Sequence, residues 1–324
     1  MIWVLFVASS VVIVLAAIKL AEYGDVIAIR TRLGGMFIGT LLLAMATSLP
    51  ELLTTINSIE QEVPDLAAGN VFGSSMFNMF MLAALDLANR NVYMLRRIAI
   101  THTLTASMAV LLTGLAVLFV LVDVDAQIGW VGVDSLVLIA VYVGAMRLIQ
   151  FNNPGSALPE VPEEDIEILH LPTLRRASLG FALATGVLVL ATPVLVSSAA
   201  DIAEVTGLGA SFIGTTAVAI VTSLPELVTT VAAVRIGAYD LAVGNLFGSN
   251  VFNILTLGLA DIFYTQGRFL AAIDQSMAVA GVTALLLTCM ALTDVLARAE
   301  HRRFSLIGVL MLLGYFAGMW MLYS

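Results

Sequence analysis

Thr47-Ser48-Leu49-Pro50-Glu51 interrupts an apolar run that extends over residues 35–56. A carboxylate, two hydroxyls and a helix-breaking proline are costly in such a run unless something polar binds there. The same five residues return as Thr222-Ser223-Leu224-Pro225-Glu226, an offset of 226 − 51 = 175. At that offset residues 39–55 match 214–230 at eleven of seventeen positions. Residues 69–79 (GNVFGSSMFNM) match 244–254 (GNLFGSNVFNI) at seven of eleven. Thr31, Leu33, Gly34, Phe37 and Ile38 find counterparts in Thr206, Leu208, Gly209, Phe212 and Ile213 without a gap. The chain is an internal duplication that kept its polar residues in both copies.

Composition places the duplication in a bilayer. Of 324 residues 60% are hydrophobic and 11% charged, where a soluble globular chain carries roughly 25% charged residues. Ten apolar segments can be marked: 2–21, 35–59, 66–89, 97–122, 128–149, 176–199, 207–234, 240–264, 269–293 and 304–323. A crossing helix needs about 20 residues, so the expected fold is all-α: a polytopic membrane protein with ten transmembrane helices. The apolar start has no positive n-region and reads as a retained first helix rather than a cleaved signal. The single Cys289 permits no intrachain disulfide. The net charge of −9, with no basic patch, gives no footing for nucleic acid.

Residues 151–172 hold Pro154, Pro159, Pro162, Pro172 and the acidic Glu163-Glu164-Asp165. They read as a solvated linker between two five-helix halves, 1–150 with its motif at 39–79 and 173–324 with its motif at 214–254. Sorting Lys and Arg by side puts thirteen on one face and only Arg268 on the other. By the positive-inside rule the linker faces the cytoplasm and both termini face out of the cell (plasma or inner) membrane. Five segments per half is an odd number, so the second half enters the membrane from the opposite side. That is an inverted-topology repeat, with a site expected near the midplane where the repeats meet.

Pro50 and Pro225 lack an N–H and should break their helices near Ala46 and Val221, freeing carbonyl oxygens. Thr47 and Glu51 are i, i+4 on one helical face, as are Thr222 and Glu226, Ser74 and Asn78, and Ser249 and Asn253. The inverted repeat brings these four faces to one centre. Carbonyls, hydroxyls and carboxylates are the oxygen donors that hard cations such as Ca²⁺ take in sets of six to eight. Two buried, neighbouring carboxylates repel each other and are costly unpaired. One divalent cation cancels both charges, and protons or monovalent cations do so too. That competition is a physical basis for exchange. Gly69, Gly73, Gly244 and Gly248 fit either close helix packing or the lining of the site. Asn70 and Asn245 read as partners of freed carbonyls, with contact to an ion the alternative.

These paired motifs resemble the alpha repeats of the cation/Ca²⁺ exchanger superfamily, the sodium/calcium exchanger group in particular. The resemblance implies a 5+5 inverted fold with a diamond-like site formed by segments two, three, seven and eight. It implies exchange of one Ca²⁺ for several monovalent ions, with Na⁺ the expected counter-ion, by alternating access in which segments one and six slide past the core. Carried over by position, Glu51 and Glu226 bridge the Ca²⁺, and the Thr47 and Thr222 carbonyls add to it. Ser48, Ser223, Ser74, Ser249 and the Ala44 and Ala219 carbonyls bind flanking Na⁺, and Asn78 and Asn253 complete the centre. Sodium-coupled members often carry aspartate at one or both positions held here by Asn78 and Asn253. That leaves H⁺ as an alternative counter-ion, although the glutamate usual in the GN segment of Ca²⁺/H⁺ exchangers is absent too. The linker is too short to be the regulatory domain of animal exchangers. The ions are cargo, no cofactor is expected, and the partners are the lipid bilayer and the ions, the protein acting as a monomer.

Other polar residues read as bland. His102, His170 and His301 show no metal-ligand spacing and are expected at the surface. Asp86 and Asp261, again 175 apart, are expected to cap or join helices. Asp134 and Asp274 are expected to be solvated at the outer face. Trp130, Tyr93 and Tyr264 fit an interfacial aromatic belt, and the scattered methionines fill the core. No histidine stands mid-segment to serve an intramembrane hydrolase, so no enzyme is expected. A passive cation channel is the rival from another class.

Overall fold

The computed structural model describes residues 1–31, 44–88, 102–122, 124–152, 172–235, 237, 239–296 and 306–324. Helices dominate: α1 (Ile2–Thr31), α2 (Leu49–Glu60), α3 (Pro64–Ala88), α4 (Thr103–Val122), α5 (Val133–Asn152) and α6 (Leu174–Thr206). They continue with α7 (Ala210–Thr222), α8 (Leu224–Arg235), α9 (Tyr239–Phe263), α10 (Phe269–Ala272), α11 (Met277–Leu296) and α12 (Leu306–Tyr323). One antiparallel hairpin, β1 (Gln127–Ile128) with β2 (Val131–Gly132), precedes α5. Gly129 makes its tight turn with φ +69°, a conformation open to glycine at no steric cost.

Among the described residues eight helices are long and apolar enough to cross a membrane, and the bent pair α7–α8 brings the number up to nine. The expected segment 35–59 is described only from residue 44, so the count of ten is not reached among the described residues. Several boundaries differ from expectation for local reasons. α1 and α6 run on to Thr31 and Thr206, because their polar last turns stay helical beyond the apolar stretch. Thr173 caps the start of α6 by accepting the Arg176 N–H, and Gly207 ends it in the left-handed region at φ 71°. Segment 128–149 opens as the hairpin. Segment 269–293 divides into α10 and α11, because the Asp274 carboxylate accepts the Ser276 N–H in a turn. α5 runs to Asn152, two residues past the expected half boundary, and 153–171 of the linker lie outside the described residues.

The packing falls into two apolar clusters. α1 and α6 lie along each other and bury Ile13, Leu20, Leu188 and Leu195, together with Ile213 and Val218 of α7. The second cluster surrounds α3 and α9 with α4, α5, α11 and α12, and buries Phe72, Met76, Phe247 and Leu257. Outward faces keep large apolar side chains exposed, among them Leu190, Leu183, Leu313 and Trp320, as lipid-facing surfaces do. α3 and α9 sit innermost, flanked by the two broken segments.

Candidate cation site

Both TSLPE stretches break at the serine, two residues past the expected Ala46 and Val221. Ser48 leaves the helical region at φ −87°, ψ 7°, and Ser223 does the same at φ −89°, ψ 4°. The chain then resumes as α2 and α8, each with its proline in the first turn, where a missing N–H loses no helical bond. α7 and α8 meet at a bend of 43°. α7 also carries a π-helical turn, Gly214–Val218, which no sequence signal announced.

Glycines let the inner helices touch the breaks. A Cβ on Gly73 would run into the Thr215 backbone and come within 2.7 Å of Ala219 Cβ. On Gly248 it would lie 3.1 Å from Ala44 Cβ, the contact related by 175. A Cβ on Gly69 would lie 2.8 Å from the Ser211 carbonyl oxygen. At these three positions the glycines serve packing.

The two halves exchange hydrogen bonds across this contact in matched pairs. Ser48 Oγ donates to Glu226 Oε1 at 2.9 Å, and Ser223 Oγ donates to Glu51 Oε1 at 3.0 Å. Ser74 reaches Glu51 Oε1 and Ser249 reaches Glu226 Oε1, both at 3.4 Å. Thr222 Oγ1 donates to Asn70 Oδ1 at 2.9 Å, and Thr47 Oγ1 to Asn245 Oδ1 at 3.4 Å. The structure thus gathers Thr47, Ser48, Glu51, Ser74, Thr222, Ser223, Glu226 and Ser249 into one buried cluster, none more than 1% exposed. Asn70 and Asn245 hold its frame. Asn70 Nδ2 donates to the Glu51 carbonyl at 3.1 Å, not to that of Ala46, and Asn245 Nδ2 donates to Thr229 at 3.2 Å.

Four buried oxygens of this region have no hydrogen-bond partner: Glu51 Oε2, Glu226 Oε2, Asn78 Oδ1 and Asn253 Oδ1. All four are acceptors, and they form two pairs related by the repeat. An unpartnered buried polar atom costs roughly 1–3 kcal/mol, more when charged. A cation would relieve such acceptors, whereas an anion would meet more of the same sign. The Ala44 and Ala219 carbonyls differ, for each already accepts the N–H four residues on and has a threonine hydroxyl within reach. Ser75 and Asn250, which the motif reading passed over, bond the asparagines: Asn78 Nδ2 to Asn250 Oδ1 at 2.9 Å and Asn253 Nδ2 to Ser75 Oγ at 3.1 Å. Their place in the repeat, four residues before Met79 and Ile254, was a signal only in hindsight of this contact.

Other expectations are corrected. Asp134 is 2% exposed rather than solvated, because it turns inward at the start of α5 and accepts the Ser135 N–H at 2.8 Å. His102 is 9% exposed rather than at the surface, being packed at the foot of α4. His170, His301 and Tyr93 lie outside the described residues. Asp261 joins elements as expected, accepting the Gly132 N–H at 2.6 Å and the Phe269 N–H at 2.5 Å. Its counterpart Asp86 instead lines a small cavity with Asp294, Phe247 and Met311. Asp274 is exposed. Trp130 is half exposed and donates to the Ile262 carbonyl.

The chain has known relatives. It is 29% identical over 276 residues to inner membrane protein YrbG of Escherichia coli (strain K12), covering 79% of this chain and 78% of that one. It is 46% identical over 83 residues to sodium/calcium exchanger MaX1 of Methanosarcina acetivorans, 25% of this chain and 24% of the relative. A solved structure of the sodium-calcium exchanger NCX_Mj has the same fold, with a TM-score of 0.60, 20% identity and 98% of each chain covered. Residues 1–149 and 176–324 match the family described as sodium/calcium exchanger protein, and the gap between them falls on the linker. With nearly its whole length matched on both sides of that linker, the chain belongs to the sodium/calcium exchanger family.

Proposed function

We propose that this membrane transporter exchanges Ca²⁺ for monovalent cations, with Na⁺ as the driving ion and Ca²⁺ exported from the cytoplasm. Family membership supports cation/Ca²⁺ exchange in general. The observation that carries the finer reading is the set of four unpartnered buried oxygens on Glu51, Glu226, Asn78 and Asn253. Two carboxylates and two amides offer the charge and hard donors that suit one Ca²⁺. When Ca²⁺ leaves, the carboxylates need two positive charges in its place, and Na⁺ ions beside the serine hydroxyls would supply them. Each TSLPE break belongs to one half while its serine bonds the other half's glutamate. Sliding of α1 and α6 past this cross-bonded core would open the site to one side or the other. The separate apolar cluster of α1 and α6 supports these two helices as the sliding element. In this reading the halves are inverted repeats, both termini face out, and a monomer suffices.

H⁺ coupling is the second reading, favoured by asparagine at both 78 and 253, which leaves two ionisable groups for two protons. Radiolabelled Ca²⁺ flux in proteoliposomes separates the readings. Uptake driven by an imposed Na⁺ gradient is expected; uptake driven only by a pH gradient would favour H⁺. Ca²⁺ passage needing neither gradient would point to a channel and overturn exchange.

A further inference from the structure

Within the second motif the repeats differ at one polar position: Ser75 in the first copy stands where Asn250 stands in the second. Both are fully buried, and together they bond the amides of Asn78 and Asn253. Counting protons fixes the direction of every bond. The one proton of the Ser75 hydroxyl goes to the Val71 carbonyl at 3.1 Å, so toward Asn253 this oxygen can only accept. Asn250 Nδ2 donates to the Ser75 carbonyl at 3.4 Å, so its Oδ1 is the end left for Asn78. Turning the Asn250 amide over would set nitrogen against nitrogen at one end and oxygen against a carbonyl at the other. With the Ser75 hydroxyl and the Asn250 amide so placed, Asn78 and Asn253 spend their NH₂ groups here, which leaves their oxygens as the free ends.

We propose that Ser75 and Asn250 are positioning residues: by accepting the amide protons of Asn253 and Asn78 they fix two amide oxygens as cation ligands. They also set the preference for asparagine over aspartate at these two positions. An ionised aspartate side chain at position 78 would put oxygen against Asn250 Oδ1, acceptor against acceptor, and at position 253 it would draw the Ser75 proton away from the Val71 carbonyl. The inference rests on the cation-site reading. Without these acceptors the amides are free to turn, and a turned amide presents hydrogens to the cation.

The test is KM for radiolabelled Ca²⁺ in proteoliposomes of the full chain. Asn250→Ala is expected to raise KM by about 10–100-fold, the usual effect of losing a partner that orients a metal ligand. Asn250→Ser, which copies the first repeat and keeps an acceptor oxygen, should recover most of that loss. In an Asn78→Ala background, Asn250→Ala should add nothing, because it acts through that amide. An unchanged KM in Asn250→Ala, equal losses in the alanine and serine variants, or losses that simply add would each overturn the proposal. Should Asn250→Ala not give monodisperse protein, Ser75→Ala, a one-atom deletion, is read in the same way against Asn253→Ala. Wild-type protein that moves no Ca²⁺ under either gradient would instead strike the exchange reading itself, and the inference with it.

Discussion

Replacing Glu226 by glutamine exchanges one oxygen for an NH₂ group and should nearly abolish Ca²⁺ exchange. Glu226 Oε1 accepts protons from Ser48 at 2.9 Å and Ser249 at 3.4 Å, whereas Oε2 has no partner. A glutamine keeps its oxygen where the two hydroxyls donate, so its NH₂ falls where Oε2 stood. The cation then loses one of two negative charges and meets a donor in its place. Removing one partner of a buried charge pair costs about 3–5 kcal/mol, which at 1.4 kcal/mol per decade is roughly 10²–10⁴ in affinity. Glu51 has the mirrored partners, Ser223 at 3.0 Å and Ser74 at 3.4 Å, so Glu51→Gln should fall by a similar factor. Ca²⁺ uptake into proteoliposomes gives the loss directly. A thermal melt supplies an independent reading. Wild type at a hundred times Kd should gain about 2.7 kcal/mol from Ca²⁺, and the glutamine variants should gain at most about 0.4 kcal/mol at that concentration. In the absence of Ca²⁺ each variant should melt higher than wild type, since it no longer buries that charge. Near-normal uptake by either variant would refute the shared-carboxylate argument.

Gly73→Ala should lower the melting temperature sharply or prevent folding, because its Cβ meets the Thr215 backbone; overpacking of this kind costs about 1–3 kcal/mol or more. Gly144→Ala, with open space at its Cβ, is the control and should melt at or above wild type. Asp261→Ala strips acceptors from the buried Gly132 and Phe269 N–H groups. It should destabilise by roughly 1–3 kcal/mol per orphaned donor while the KM for Ca²⁺ stays unchanged; a shifted KM would mean that the hairpin end is linked to the site. Thr192→Val removes the 2.9 Å bond from Asn57 that ties α2 to α6. If that contact slides during exchange, losing about 1 kcal/mol there should change the maximal uptake rate at constant KM, and equal rates would place the contact off the moving surface.

The sequence carried the site further than it carried the elements. A proline next to a glutamate in an apolar run has few physical readings, and its return at a constant offset pointed to a shared centre before any contact was known. The helix breaks at Ser48 and Ser223 follow from backbone chemistry alone, as does the cap at Thr173. Asp134 is buried although a charge near a segment end is ordinarily solvated; α5 packs against the distant α9, which local sequence does not encode. The break between α10 and α11 escaped because a single Asx turn at Asp274 interrupts an otherwise continuous apolar stretch. The role of the glycines was open for a related reason, since a missing side chain has no chemistry of its own and only the facing helix shows what it admits.

By itself, then, the sequence determined that the chain lives in lipid, that it is doubled, and which two carboxylates occupy matching places in the two copies. These follow from hydropathy, from identity at one offset and from the behaviour of proline, all of which are local or periodic properties. Only the tertiary structure decided that each serine bonds the glutamate of the opposite half, and that Ser75 and Asn250 face Asn253 and Asn78. Hydrogen bonds between residues some 175 positions apart depend on how two helices cross, and a crossing is set by the packing of both at once.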